Sequence, residues 1–338
     1  MILIVTHADD QTARVVEEHL RRRGATVQRF DPAELPGRAR LSQTFGEAKP
    51  EQCRLHTEHG DIDLHAVHTV WFRRPGTPQA PACIADPAVR RYVEAECAQR
   101  LDEVWNGLPC RNVPAAPNVI ARASQKALQL ELAVRLGFEI PPTLVTNDAD
   151  DVLDFHRCHG GSIVSKLCGP TFHAHFGQRW VRYTEAVSAR DLAQPAAMAL
   201  CPMTFQANVP KRLELRITVV GTRAFAAEIH SQATRRTRQD WRRYDLANTP
   251  HHPHTMPAEV EHRCAALVAA LGLQYGAIDL ILTPEGRYVF LEINPNGQFQ
   301  WIEQKTGLPI SEALADLLAE APVAATRQPR EALAEAVA

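Results

Sequence analysis

The chain has 338 residues, 45% of them hydrophobic and 22% charged, with a formal net charge of −2. This is ordinary globular composition, enough for a sizeable core and for two domains or one large domain with subdomains. The balanced charge excludes coating of nucleic acid by bulk charge, and no apolar run approaches the ~20 residues of a membrane span.

MILIVT (1–6) reads as a buried strand and Asp9-Asp10 as able to cap a helix with apolar spacing through Leu20, ending on Gly24. ATVQRFD completes a β-α-β start, which implies a parallel sheet. Residues 38–63 alternate weakly and suggest a hairpin. AVHTVWFRRP is a further strand, ending in Arg73 and Arg74, and residues 86–108 form a helix with Val89, Val93, Cys97, Leu101 and Val104 on one stripe. GLPCRNVPAAPN, with three prolines, reads as a linker. After it, Ser124 is positioned to cap a helix ending near Gly137. Pro141-Pro142 opens a strand, 148–156 is a short helix, and GGSIVSKLCG is a strand. Residues 203–209, 214–220 and 223–229 are strand candidates, 260–271 a helix, and 277–282 and 288–293 two strands joined by the turn TPEG. Residues 311–318 form a last helix before an Ala-rich tail.

The most specific feature is AIDLILTPEGRYVFLEINPNGQF. Period-two alternation puts Glu292 and Asn294 on one face, and the hairpin brings Asp279 beside them. Two carboxylates and an amide oxygen make a hard-oxygen site suited to Mg²⁺, with phosphates and water completing the shell. Apolar neighbours surround these carboxylates, so they need a cation or a hydrogen-bonding partner.

Only five of the 37 basic residues are lysine. Lys126 sits near a helix start, and Lys166 ends the strand SIVSK ahead of a loop containing Gly169 and Gly177. Both are placed to reach phosphates, although no GxxxxGK[ST] occurs. FQANVPKRLELRITVVG reads as strand, link, strand. It offers backbone groups to an adenine edge and places Glu214 and Arg216 on one face. The run TRRTRQDWRRYD holds Arg235, Arg236, Arg238, Arg242 and Arg243 around Trp241. It reads as a nucleic-acid patch, as a solvated loop, or as a source of arginine for phosphates and acidic substrates; the balanced net charge favours the last. The histidines of HHPH (251–254) are too tightly spaced for a closed metal site, and a solvated loop is the expectation. Eight scattered cysteines without a CxxC pair predict reduced thiols in a cytoplasmic protein.

Lys126, Lys166, FQANV, Asp279, Glu292 and Asn294, in that order, resemble the ATP-grasp superfamily over residues 118–320. VWFRRP, SQKALQLELAVRLGFEIPPTLVTND, PKRLELRITVVG and DWRRYD resemble its graspetide (microviridin-type omega-ester peptide) synthetases over most of the chain. The resemblance implies an α/β fold. An N-terminal α/β pre-ATP-grasp domain would span 1–117, a central ATP-grasp subdomain 118–205, a C-terminal subdomain with the metal site 206–322, and a flexible tail 323–338. It implies ATP contacts from Lys126, Lys166, Gln206, Ala207, Asn208, Val209, Glu214 and Arg242, and two Mg²⁺ on Asp279, Glu292 and Asn294. Arg216 and Arg242 would stabilise developing charge. An acidic residue commonly follows the hinge glutamine in the superfamily, whereas this chain has Ala207.

The implied activity is macrocyclisation of a ribosomal precursor peptide. Asp/Glu carboxylates would be activated as acyl-phosphates and joined to Thr/Ser hydroxyls as esters or to Lys amines as amides. Arg73, Arg74, Arg235, Arg236 and Arg238 are candidates for holding the acidic core. The expected partner is a leader-plus-core peptide rather than nucleic acid or membrane, and the resemblance implies a homodimer. Two other readings share parts of this pattern: an ATP-grasp ligase of free amino acids or protein termini, and a non-catalytic nucleotide- or RNA-binding protein using the Arg-Trp run.

Overall fold

The computed structural model describes residues 1–46, 52–168, 172–175, 178–181, 183–243, 245 and 247–320. The chain divides into two compact units. The first comprises Met1–Ala121 with Leu273–Tyr275 and the C-terminal segment from Ser311, and the second comprises Arg122–Gly272 and Gly276–Ile310.

In the first unit, strand β1 (Ile2–Thr6), helix α1 (Gln11–Arg22) and strand β2 (Val27–Phe30) form the expected β-α-β start. The Asp10 carboxylate caps α1 by accepting from the Ala13 amide at 3.2 Å, and Gly24 past its end takes φ 75°, a left-handed turn glycine adopts without strain. Strands β3 (Arg40–Thr44), β4 (Gln52–Thr57) and β5 (Gly60–Asp63) form an antiparallel sheet, one strand more than the expected hairpin. Strand β6 (Thr69–Arg74), helix α2 (Pro87–Gly107) and strand β7 (Arg111–Val113) follow.

The larger sheet has the order β2-β1-β6-β7, all parallel. Residues 111–113 are therefore a strand rather than linker: Pro109 and Pro114 flank the ladder instead of interrupting it. The stripe expected along α2 is buried only in its second half, at Leu101, Val104 and Trp105. Val89 lies exposed near the helix start. Trp105 packs against Phe30 and Phe72, with ring centroids 6.1 and 5.9 Å away, in the core of this unit.

Helix α3 (Pro117–Ala123) leads into the second unit, which opens on helix α4 (Lys126–Arg135). The residue capping α4 is Gln125, not Ser124, and its side chain makes no capping bond. Next come strand β8 (Thr143–Thr146), helix α5 (Ala149–Cys158), strand β9 (Ile163–Lys166), the antiparallel hairpin β10 (Phe172–His175) and β11 (Gln178–Val181), and strand β12 (Glu185–Ala186). Gly169 and Gly177 lie outside the described residues, as does the tail 323–338. Short helices α6 (Ala189–Leu192) and α7 (Pro195–Met198) precede strand β13 (Met203–Ala207). One sheet has the order β12-β9-β13-β8, packed on Val152, Ile163, Val187 and Phe205.

The second sheet contains β14 (Leu213–Val220), β15 (Arg223–Ile229), β16 (His251–Pro253), β17 (Tyr275–Leu282) and β18 (Tyr288–Asn294), in the order β16-β15-β14-β17-β18. Helix α8 (Ala258–Ala270) precedes β17, and helices α9 (Gln300–Thr306) and α10 (Ile310–Ala319) follow β18. All eight residues of β14 are buried, so Glu214 and Arg216 lie inside the protein and not in a surface ion-pair neighbourhood. The HHPH segment is likewise no solvated loop. Its first three residues pair with β15, His251 is buried, and His254 Nδ1 lies 2.7 Å from Glu228 Oε1. No group of three or more His, Cys, Asp or Glu suited to a metal occurs among the described residues.

Candidate active site

Strands β17 and β18 bring the chemistry together. Asp279 lies directly opposite Glu292, and Asn294 ends β18 two residues on. The register slips next to this pair: Leu280 faces Phe290, leaving Leu291 as the extra residue of a bulge. Phe290 is thereby free to pack inward on Phe138, at a ring separation of 5.6 Å, while Leu291, Glu292, Ile293 and Asn294 line one cavity. The Asn294 side chain also shapes the following turn, its Oδ1 accepting from the Asn296 amide at 3.2 Å.

That cavity measures about 510 Å³ and is built wholly from the second unit. It is lined by Asp279, Glu292 and Asn294 with Lys126, Lys166 and Arg242, and by Gln206, Ala207, Asn208, Val209, Lys211 and Glu214. Its size and its convergent charges are those of a small-molecule site.

Each carboxylate meets a cation. Arg216 Nη1 donates to both Asp279 oxygens at 3.0 and 2.8 Å, and Lys126 Nζ is 2.8 Å from Glu292 Oε2. Burial is the main influence on Asp279 and raises its pKa; Arg216 opposes the rise and Glu292 across the ladder adds to it. Burial also pushes Glu292 upward, but Lys126, Arg242 and Lys166 outweigh it and hold this carboxyl at about 2. Burial lowers the Lys166 pKa, with Glu292 opposing. A lysine destabilised this way gains from an anion beside it. Arg242 donates from Nε and Nη2 to Asp240 at 2.9 and 2.7 Å, and its Nη1 lies 3.9 Å from Glu292 Oε1. Asp240 therefore aims Arg242 along the cavity; it also accepts from the Thr184 amide at 2.9 Å.

Strand β13 pairs with both β8 and β9, which holds Gln206 and Ala207 in a strand. The Gln206 amide donates to Thr143 Oγ1 at 3.0 Å. Glu214 is raised by burial against the pull of Lys211, which donates to it at 2.6 Å and to the Gln239 carbonyl at 3.0 Å.

The fold thus gathers Lys126, Lys166, Gln206, Ala207, Asn208, Val209, Glu214, Arg242, Asp279, Glu292 and Asn294 around one cavity, with Arg216 bound to Asp279. The other arginines lie elsewhere. Arg73 is buried in the first unit with Nε 3.6 Å from Asp10 Oδ2, Arg74 is exposed there, and Arg235, Arg236 and Arg238 are exposed in the second unit. Trp241 lines the cavity and stacks on Trp301, ring centroids 5.0 Å apart. Sequence reasoning passed over Lys211, Asp240 and Gln129. The last had a readable signal, since it lies three residues from Lys126 on the same face of α4.

Residues 1–119 match the family model described as the MvdD pre-ATP grasp domain. The chain is 32% identical to the RiPP-associated ATP-grasp ligase of Chryseobacterium gregarium, solved with ADP and a leader and core peptide. The match covers 94% of this chain and 96% of that one, with a TM-score of 0.87. Macrocyclase MdnC of Microcystis aeruginosa, solved with precursor peptide MdnA, is 31% identical over 94% and 98% of the two chains, TM-score 0.83. Macrocyclase MdnB of the same organism is 34% identical over 94% and 98%, TM-score 0.77. The chain belongs to the graspetide-type ATP-grasp ligases. A search of curated proteins returns no match. Within this ATP-grasp ligase the strongest sequence signal, LEINPN, contributes Leu291, Glu292, Ile293, Asn294 and Pro295 to the lining of the cavity.

Proposed function

We propose that the protein is an ATP-dependent macrocyclase of a ribosomal precursor peptide. Its cavity would bind Mg-ATP between the hinge at 206–209 and the Asp279–Glu292–Asn294 corner. The observation that carries this reading is the opposed pair Asp279 and Glu292, in one cavity with Lys126, Lys166 and Arg242 and with Arg216 bonded to Asp279. The donor set fits magnesium, two carboxylates and one amide oxygen being hard ligands. Asp279, Glu292 and Asn294 would hold two such ions, which when bound neutralise phosphate charge. The surplus of cations around them is suited to a triphosphate.

The chain's own residues then have distinct tasks. Lys126 and Lys166 hold phosphate oxygens, and the strand-held backbone of Gln206–Val209 orients adenine, with Glu214 near the ribose. An Asp or Glu carboxylate oxygen of the peptide attacks the γ-phosphorus of ATP and ADP leaves, giving an acyl-phosphate. A Thr/Ser hydroxyl or Lys amine of the same peptide attacks the acyl carbon and phosphate leaves, so each ring removes one water overall. Arg242, fixed by Asp240, and Arg216 are placed to stabilise the charge that develops. The exposed Arg235, Arg236 and Arg238, and in the first unit the exposed Arg74, are proposed to orient acidic side chains of the core; Arg73, buried beside Asp10, is not open to a peptide. The domain boundaries implied by the family (1–117, 118–205, 206–322), a cytoplasmic location and a homodimer belong to the same proposal. No described helix is long and apolar enough to cross a membrane.

Incubation with Mg-ATP and the precursor peptide tests the reading. Mass spectrometry is expected to show loss of water in step with ADP release, abolished in Asp279→Ala and Glu292→Ala. Unchanged precursor mass together with ligation of free amino acids would sink it.

A further inference from the structure

Strand β18 carries two of the three proposed metal ligands, yet it is an edge of its sheet. An edge strand leaves backbone N–H and C=O groups to be satisfied by other means, and a buried one that stays unpaired is costly. The residue at issue is Ile293, fully buried and placed between Glu292 and Asn294.

Its peptide groups are met by a side chain. Gln129 on α4 is 0% exposed. Its Nε2 donates to the Ile293 carbonyl at 2.8 Å, and its Oε1 accepts from the Ile293 amide at 3.2 Å. The second Nε2 hydrogen goes to the Ala123 carbonyl at the end of α3, 2.7 Å away. Oε1 also faces Lys126 Nζ at 3.4 Å, the same ammonium that meets Glu292. Both donors and both acceptor positions of the amide are thus engaged. A flipped amide would turn its NH₂ group toward the Ile293 N–H and the Lys126 ammonium, so one orientation is specified.

We propose that Gln129 is a positioning residue for the metal and phosphate corner. It substitutes for a missing strand neighbour and fixes the peptide that sets the angle between Glu292 and Asn294, while holding Lys126 in line with Glu292. This rests on the reading of Asp279, Glu292 and Asn294 as the magnesium-holding group.

The test separates metal dependence from folding. ADP binding is measured by titration calorimetry with and without Mg²⁺ on the wild type, Gln129→Met, Gln129→Glu and Glu131→Gln. Gln129→Met keeps length and volume but removes all four hydrogen bonds. Gln129→Glu keeps the acceptor toward Ile293 N–H and Lys126 but cannot donate to Ile293 or Ala123. Glu131→Gln changes an exposed residue of the same helix. Supporting residues of a metal site typically change metal affinity by about 10–100-fold. The expected result is that Gln129→Met and Gln129→Glu raise the Mg²⁺ concentration for half-maximal effect about tenfold or more. Binding of ADP without metal should stay within about twofold in Gln129→Glu, which keeps the acceptor for Lys126, excess Mg²⁺ should restore turnover, and Glu131→Gln should match the wild type.

A folded Gln129→Met protein with unaltered magnesium dependence would overturn the inference. If that variant does not fold, Gln129→Glu decides, and failure of both to fold makes Gln129 a residue of the fold instead. A wild type whose ADP binding ignores magnesium overturns the functional reading itself, a result distinct from any effect of Gln129.

Discussion

At the scale of single residues, the corner depends on close approach. A Cβ on Gly297 would sit 2.3 Å from Ala277 Cβ and 2.6 Å from Arg216 Nη2, both inside contact distance. Gly297→Ala must therefore displace the guanidinium that spans Asp279. Loss of a well-placed charge-stabilising donor commonly costs on the order of 10²-fold in rate. A loss of that order is expected for Gly297→Ala in the cyclisation assay, with cooperative thermal unfolding retained; undiminished turnover would show that Arg216 is not needed where it lies.

A second residue-scale prediction uses the thiols. Burial pushes Cys264 up to about 12 and Cys110 up to about 11, so neither is expected to alkylate in the native protein near pH 8. Cys168 is exposed and lines the cavity. Its alkylation, followed by peptide mass mapping, is expected to slow about tenfold when nucleotide is present at ten times its dissociation constant. A Cys168 rate indifferent to Mg-ATP would place the nucleotide elsewhere.

At the scale of elements, the hairpin bearing Asp279, Glu292 and Asn294 was legible because alternation and a turn sequence are local properties. The bulge at Leu291 was not legible, since an extra residue in a ladder leaves no mark on a short apolar run. Prolines hid β7: they look the same in a linker and at the two ends of a three-residue strand. Glu214 and Arg216 read as one polar face because burial on both faces of β14 comes from neighbours distant in sequence. The segment from β16 to α9 shows the same limit. His251 looked like part of a solvated loop, yet it packs edge-on against Trp301, which stacks on Trp241 beside Arg242. Burial lowers the His251 pKa below its usual 6.5. The folded state then binds fewer protons than the unfolded chain, so this contribution to stability is complete above the unfolded pKa and is lost as pH falls through 6.5 toward the folded value. Thermal unfolding followed over roughly pH 5 to 8 is expected to show a decline toward acid that is flatter in His251→Phe, which keeps a ring against Trp301 but has no proton to gain. Parallel pH profiles would remove His251 from the account.

At the scale of the whole molecule, the first unit is not a contiguous stretch of chain. Its sheet and core come from the first 121 residues, but α10, nearly two hundred residues later, completes it. Leu314 and Leu318 of that helix are fully buried. Arg111 Nη1 donates to the Leu317 carbonyl at 2.7 Å, and Arg23 Nη2 lies 2.6 Å from Asp316 Oδ1. Nothing local announces this return, because an amphipathic helix shows which face it buries but not against what. The two kinds of contact differ in weight. A buried Leu→Ala change typically costs about 2–5 kcal/mol, whereas a half-exposed ion pair contributes about 0–1 kcal/mol. Leu314→Ala is therefore expected to lower the denaturant midpoint well below that of Asp316→Ala, which should lie close to the wild type. Should the two variants unfold alike, α10 would be held to the first unit by its charges, and the burial of Leu314 would contribute little.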